Sequence, residues 1–321
     1  MKSPQVDPLD MKIIHALQID GRAPFSLIGE TIGVSDQTVA RRYARLRAHD
    51  AIRVTAQTDA WIVGEEEWVL RIQCPPDAAG AIATAVARHP EARWVQLTSG
   101  ATEIVCTTRA PVGGDSVLLR ELPRTRRVTG VSAHWLLHTF YGGQRNILNK
   151  IGPLSADQIE ALRPPAPPGD GQVALSTSDH ALLAELSRDG RAPYRDLARA
   201  AGLSQSTVQR RVGELREAGA LYFRVDFDDA LIARHTTAIL WLSVAPAALV
   251  EVGEELAGHE EVTFVGSTTG PTNLYAVVLA ENSRALHRYL TGPLARLPAI
   301  TRIETAPIVQ PFKRAGVPVA R

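Results

Sequence analysis

Residues 20–24 read DGRAP, and residues 189–193 read DGRAP again. Sliding the chain against itself by the same 169 positions extends the match without a gap from Asp10/Asp179 to Ile52/Leu221, with 16 identities in 43 aligned positions. Many other positions exchange like for like, such as Phe25 for Tyr194 and Val34 for Leu203. A match this long implies two copies of one folded segment. The 321 residues are 45% hydrophobic and 21% charged, a composition that fits a soluble globular chain of several domains and excludes wholesale disorder. The net charge of +1 means that any affinity for nucleic acid has to come from a local basic surface. Two cysteines without CxxC spacing exclude a disulfide scaffold and a cysteine-based zinc site. The N-terminus lacks a signal-like apolar stretch and no run is long and apolar enough for a membrane helix, so the expected location is cytoplasmic, with no membrane partner.

Each copy opens on a helix-start signal, Asp7-Pro8 with Asp10 in one and Ser176 with Asp179 in the other. Apolar residues then recur at helical intervals, Leu9, Ile13 and Leu17 against Leu182, Leu183 and Leu186. DGRAP then reads as punctuation: Gly21 and Gly190 suit a left-handed helix end, and Pro24 and Pro193 the first turn of a second helix. That helix stops at Gly33 or Gly202, and Ser35 or Ser204 caps a third. On the third helix Val39, Tyr43 and Leu46 face inward, as do Val208, Val212 and Leu215. Another face carries Thr38, Arg41, Arg42 and Arg45, matched by Thr207, Arg210, Arg211 and Glu214. A short turn delivering an arginine-bearing helix is the helix-turn-helix arrangement, whose recognition helix enters the major groove. The alternative is a solvated basic face on a small bundle.

The strand-like segments 52–57 and 221–227 are read as the wing of each unit. Beyond them a second repeat, offset by 170, aligns WVLRIQC (68–74) with AILWLSV (238–244) and gives the order strand-helix-strand-strand-helix-strand twice. The expected fold class is therefore α+β, two winged helix-turn-helix domains alternating with two ferredoxin-like (βαββαβ) domains. The expected boundaries are 1–65, 66–140, a linker at 141–175, 176–235, 236–313 and a tail at 314–321. The linker holds a short helix over 155–162, capped by Ser155 and Gln158, then the proline-rich RPPAPPGDGQ (163–172), a semi-rigid spacer.

The motifs GLSQSTVQRRVGELREAGAL (202–221) and GVSDQTVARRYARLRAHDAI (33–52), each followed by this strand order, resemble the Lrp/AsnC family of bacterial transcription regulators, twice in tandem. The resemblance implies a non-enzymatic regulator that binds double-stranded DNA, responds to an amino acid or related effector, needs no cofactor, and self-associates into a dimer or tetramer. For DNA it nominates Gln37, Thr38, Arg41, Ser206, Thr207 and Arg210 at base edges, Arg42, Arg45 and Arg211 at phosphates, and Ser35 and Ser204 at the helix starts. Family members commonly carry Gly-x-x-Asp before the third strand of the sheet domain. The matching residues Gly100, Thr102, Glu103 and Gly270, Thr272, Asn273 are the nominated effector positions, with the acid lengthened in one copy and neutralised in the other. The plain alternative is that Gly100 and Gly270 are hairpin glycines.

Other chemistry finds little support. Cys74 aligns with Val244 and Cys106 with Ala276, so both thiols occupy core positions. His134 and His138 fall on a strand about 13 Å apart, unsuited to one metal. Sirohaem decarboxylases also look like this family and work as paired units with histidines near a tetrapyrrole, for which His134, His138 and His235 are the candidates. This enzyme is the alternative function.

Overall fold

A computed structural model describes residues 6–114, 116–165, 171–227 and 229–319. In chain order the elements are α1 (Pro8–Ile19), α2 (Phe25–Ile32), α3 (Asp36–Ala48), β1 (Ile52–Thr58), β2 (Glu65–Gln73), α4 (Pro76–Arg88), β3 (Ala92–Thr98), β4 (Glu103–Pro111), α5 (Val117–Glu121) and β5 (Gly130–Tyr141). They continue with α6 (Leu148–Ile151), α7 (Ala156–Leu162), α8 (Thr177–Arg188), α9 (Tyr194–Ala201), α10 (Gln205–Glu217), β6 (Leu221–Phe227), β7 (Thr236–Val244), α11 (Leu249–Gly258), β8 (Val262–Thr268), β9 (Leu274–Ala280), α12 (Ser283–Thr291), β10 (Ile300–Arg314) and β11 (Val317–Pro318). The chain forms two compact units, and each draws on both halves of the sequence. One comprises Met1–Val63 with Gln144–Ile232, the other Gly64–Gly143 with Ala233–Arg321.

The first unit holds both helical repeats. Capping boxes start α1 at Asp7/Asp10 and α8 at Ser176/Asp179, satisfying backbone N–H groups that a helix start leaves open. Both second helices end on a left-handed glycine, Gly33 and Gly202. The first helices do not: they end on extended Asp20 and Asp189, and neither Gly21 nor Gly190 has a positive φ. These glycines answer to close approach instead. A Cβ on Gly21 would lie 2.6 Å from Phe223 Cβ and 2.8 Å from Val54 Cγ1, and one on Gly190 would lie 3.0 Å from the same Val54 methyl. DGRAP is thus an interface motif, used reciprocally. Arg22 donates to the carbonyls of Gly190 (2.8 Å) and Ala192 (3.2 Å), while Arg191 donates to those of Gly21 (2.7 Å) and Ala23 (3.0 Å). Arg22 stacks 4.7 Å from the Tyr194 ring and Arg191 4.3 Å from the Phe25 ring, adding cation–π attraction. Asp189 takes Arg47 at 2.6 Å and Asp20 takes Arg216 at 2.9 Å.

The strands expected as separate wings instead pair with each other. β1 and β6 form one antiparallel ribbon whose register sets Thr55 opposite Arg224, its own counterpart at offset 169. The pseudo-two-fold axis relating the copies therefore passes between them. Part of the expected linker also departs from a free spacer. Buried Gln18 accepts from Asn146 Nδ2 (2.6 Å) and donates to the Gln144 carbonyl (2.9 Å), and Gln158 donates to the Thr31 carbonyl (2.9 Å). The Leu154 N–H donates to His15 Nδ1, and burial pulls the His15 pKa down to about 4. Ser155 and Gln158 cap α7 as expected. Within the proline-rich stretch, residues 166–170 lie outside the described residues.

In the second unit the order strand-helix-strand-strand-helix-strand runs twice. The long last strand of each run bridges to the other copy: β5 pairs with β2 and then β8, β10 with β7 and then β3. The sheet consequently closes on itself in the order β10-β3-β4-β2-β5-β8-β9-β7 and back to β10. Alternation puts one apolar set under α4 and α5, including Leu70, Ile72 and Cys106, and another under α11 and α12, including Leu240 and Val278. A third set, Val69, Val105, Ile239, Trp241, Tyr275 and Ala306, packs separately from both. Cys74 and Cys106 are buried free thiols, and burial pushes Cys106 up to about 12, which suppresses thiolate chemistry. The expected tail turns at Ala315 and Gly316 so that β11 pairs back on β10.

Candidate functional site

The helix starts of α3 and α10 are built alike. Ser35 Oγ accepts from the Thr38 N–H at 3.2 Å and Ser204 Oγ from that of Thr207 at 3.1 Å, and each cap hydroxyl also contacts its threonine hydroxyl. The two serines are occupied as caps. Val39, Tyr43 and Leu46, with Val208, Val212 and Leu215, are buried as the periodicity predicts. What faces outward is Gln37 and Arg41 on α3, with Ser206, Gln209 and Arg210 on α10.

The arginines divide differently from the expectation. Arg42 donates to Asp7 at 2.5 Å and to Asp10 at 3.0 Å, and Arg45 pairs with Asp10 as well. Arg211 grips Asp179 with two of its nitrogens, Nε at 2.8 Å and Nη2 at 2.9 Å, and holds that carboxyl down at about 2. Asp10 and Asp179 are capping-box carboxylates buried by the third helix, and a buried carboxylate requires a charged partner. Arg42, Arg45 and Arg211 therefore tie α1 to α3 and α8 to α10 through ion pairs. Arg210 pairs with Glu214, at the position of Arg45 in the first copy. Among the described residues Arg41 is the exposed arginine of α3 without an ion pair.

The sheet unit contains a cavity of about 390 Å³. Arg71 and Gln73 of β2, Ser132 and His134 of β5, and Arg302 and Glu304 of β10 line it, together with Pro271 and Thr272. Arg71 donates through Nε to Glu103 (2.6 Å) and through its two terminal nitrogens to Glu304, and it holds the Glu304 carboxyl below its usual range. The Arg71 guanidinium lies 4.7 Å from the Trp241 ring. His134 sits 5.6 Å from Trp241, with Nδ1 against the Thr269 carbonyl (3.0 Å) and Nε2 against Ser132 Oγ (3.3 Å).

Of the six nominated effector residues, Thr272 lines this cavity. Glu103 reaches it through Arg71. Gly270, at φ +108°, makes room for His134, since a Cβ there would lie 2.3 Å from Nδ1. Gly100 (φ +67°) and Thr102 are at an exposed turn, with Thr102 bonded to the Ser99 carbonyl. Asn273 closes the end of β7 through both backbone groups of Val244, at 2.8 and 2.9 Å. Of the nominated histidines, His138 meets the Phe140 ring edge-on and His235 is exposed, leaving His134 at the cavity. Arg71, Arg302 and Glu304 escaped the sequence reading. Their signal was charged residues inside strands at positions where the other copy carries Trp241, Gly130 and Ser132.

The AsnC-type helix-turn-helix domain model matches residues 6–47 and 175–216, and the Lrp/AsnC ligand binding domain model matches 237–318. The chain belongs to the Lrp/AsnC family. The HTH-type transcriptional regulator FL11 of Pyrococcus abyssi is 26% identical over 143 residues, which span 94% of that protein and 44% of this chain. The regulator PH0140 of Pyrococcus horikoshii is 29% identical over 150 residues, 94% of its length and 46% of this chain. Each relative is thus about one repeat long. Among solved structures, the siroheme decarboxylase NirDL, in complex with an iron-uroporphyrin III analogue, superposes over 97% of this chain and 94% of its own with a TM-score of 0.67 at 14% identity, a likeness of fold alone. No helix among the described residues is long and apolar enough to cross a membrane.

Proposed function

We propose that this Lrp/AsnC chain is a sequence-specific DNA-binding transcription regulator, built as two helix-turn-helix units that share one β-ribbon and two ferredoxin-like domains, that responds to a small effector such as an amino acid and self-associates further. The supporting observation is the pairing of two like helix-turn-helix units about a pseudo-two-fold axis, with Gln37 and Arg41 exposed on one third helix and Ser206 and Arg210 on the other. Two related reading helices fit two half-sites of an imperfect palindrome. Selecting fragments from a random duplex library and testing them by gel shift checks the reading. Replacing Arg41 by Ala should weaken binding to the selected site at least tenfold, in line with about 1–3 kcal/mol per base contact. Failure to enrich any site, or a shift untouched by that change, sinks it.

Full-length likeness of fold to a siroheme decarboxylase favours a second reading, a tetrapyrrole enzyme using His134. Titrating iron-uroporphyrin III into the protein and recording its absorbance decides between them, because a bound macrocycle shifts the spectrum and a regulator leaves it unchanged.

A further inference from the structure

We infer that the cavity of the sheet unit is a single binding site, one per chain, for a small organic monocarboxylate whose charged group meets Arg302. The inference deepens the effector reading above and rests on it.

Symmetry fixes the number of sites. Strand register makes Ser132, opposite Arg71, the counterpart of Glu304, opposite Trp241, and the cavity is lined by both members of this pair. A pocket that collects a residue and its own counterpart lies on the axis relating the copies. A site off the axis would occur twice, and one on it occurs once. The contacts beneath follow the same operator. Arg71 corresponds to Trp241 and stacks on it, and Glu304, the partner of Arg71, stands where the other copy carries Ser132. The two halves of the site have diverged into different chemistry.

Charge fixes the ligand class. The Arg71 guanidinium is engaged by Glu103 and Glu304, and both His134 nitrogens are within hydrogen-bond distance of Thr269 and Ser132. Arg302 is exposed and has no ion pair among the described residues, while its field reaches Glu304. Gln73 makes no side-chain hydrogen bond among the described residues. One uncompensated cation beside one open amide matches one carboxylate, because a second carboxylate would find Glu304 and no further free positive charge. The lone pairs of Glu304 not taken by Arg71 can accept from an ammonium group, so a zwitterionic amino acid satisfies both sides. A volume of about 390 Å³ lies toward the small end of sites that hold single small molecules. The ligand would touch β2 and β5 of one copy and β10 of the other.

Isothermal titration of the full chain with each common L-amino acid and its 2-oxo acid tests this. The expected result is a binder that saturates at one per chain. Arg302→Ala should lower its affinity at least tenfold with an unchanged melting temperature, Arg302→Lys should restore most of it, and Thr102→Ala should have no effect. Two ligands per chain, or binding indifferent to Arg302→Ala, overturns the axial site and leaves the effector reading standing. The absence of any binder among these probes overturns both.

Discussion

The helical unit and the sheet unit are each made of two copies, and they have aged differently. In the helical unit the contacts across the axis are kept in matched pairs: Arg22 with Arg191, Asp20 with Asp189, Phe25 with Tyr194. In the sheet unit the residues at the axis have drifted apart, Arg71 from Trp241 and Ser132 from Glu304. Contacts that hold copies together tolerate little change, because each side serves the other and a single substitution leaves buried groups unpaired. A cavity on an axis gains from asymmetry, because a symmetric one would meet a chiral ligand with duplicated charges.

The sharpest way to break the comparison is to break the clamp. Arg22→Ala combined with Arg191→Ala strips charged donors from four carbonyls, and should destabilise the protein by about 3 kcal/mol or more, read as a fall in melting temperature. Gly21→Ala should cost about 1–3 kcal/mol, since its Cβ would overlap Phe223. An unchanged melting temperature in both would show that DGRAP is punctuation after all.

Next in size is acid sensitivity. Asp179 has an ordinary carboxyl value of 3.8 and about 2 in the folded chain, so its pairing with Arg211 stabilises fully above pH 4 and is lost as the pH falls toward 2. A shift of this size corresponds to about 2 kcal/mol. Asp179→Asn should remove that part of the pH dependence, and a parallel decline in the variant's stability between pH 4 and 2 would contradict the pairing. The smallest expected effect is at Glu214. Its pair with Arg210 is exposed and contributes about 0.3–0.5 kcal/mol, so Glu214→Gln should raise DNA affinity about twofold and steepen its salt dependence. A loss of affinity would mean that Glu214 reads the DNA itself.

Much of this architecture was written in local patterns. Capping boxes, left-handed glycines at 33 and 202, and strand alternation are short-range signals, and the helices and strands follow them. What escaped depends on partners far along the chain. Gly21 looks the same in sequence whether it turns the backbone or admits Phe223. Arg42 and Arg211 looked like phosphate ligands because their carboxylates lie 32 residues away. The repeat held the clue: Asp10 with Arg42 and Asp179 with Arg211 are kept in both copies, as paired groups would be, while Gln37 has changed to Ser206. The cavity was harder to find, because it is assembled from strands of both copies and from residues that the copies do not share.

The ribbon of β1 and β6 has a consequence for how such a protein responds to its own abundance. Thr55 meets Arg224 there, a pairing that two identical chains cannot make, since each would bring the same side chain. The two helical units are joined through the polypeptide itself, so dilution does not separate them and no second molecule has to be found before the pair exists. Occupancy of a target by the pair then rises with the first power of copy number, where a regulator assembled from separate subunits below their dissociation constant rises with the second.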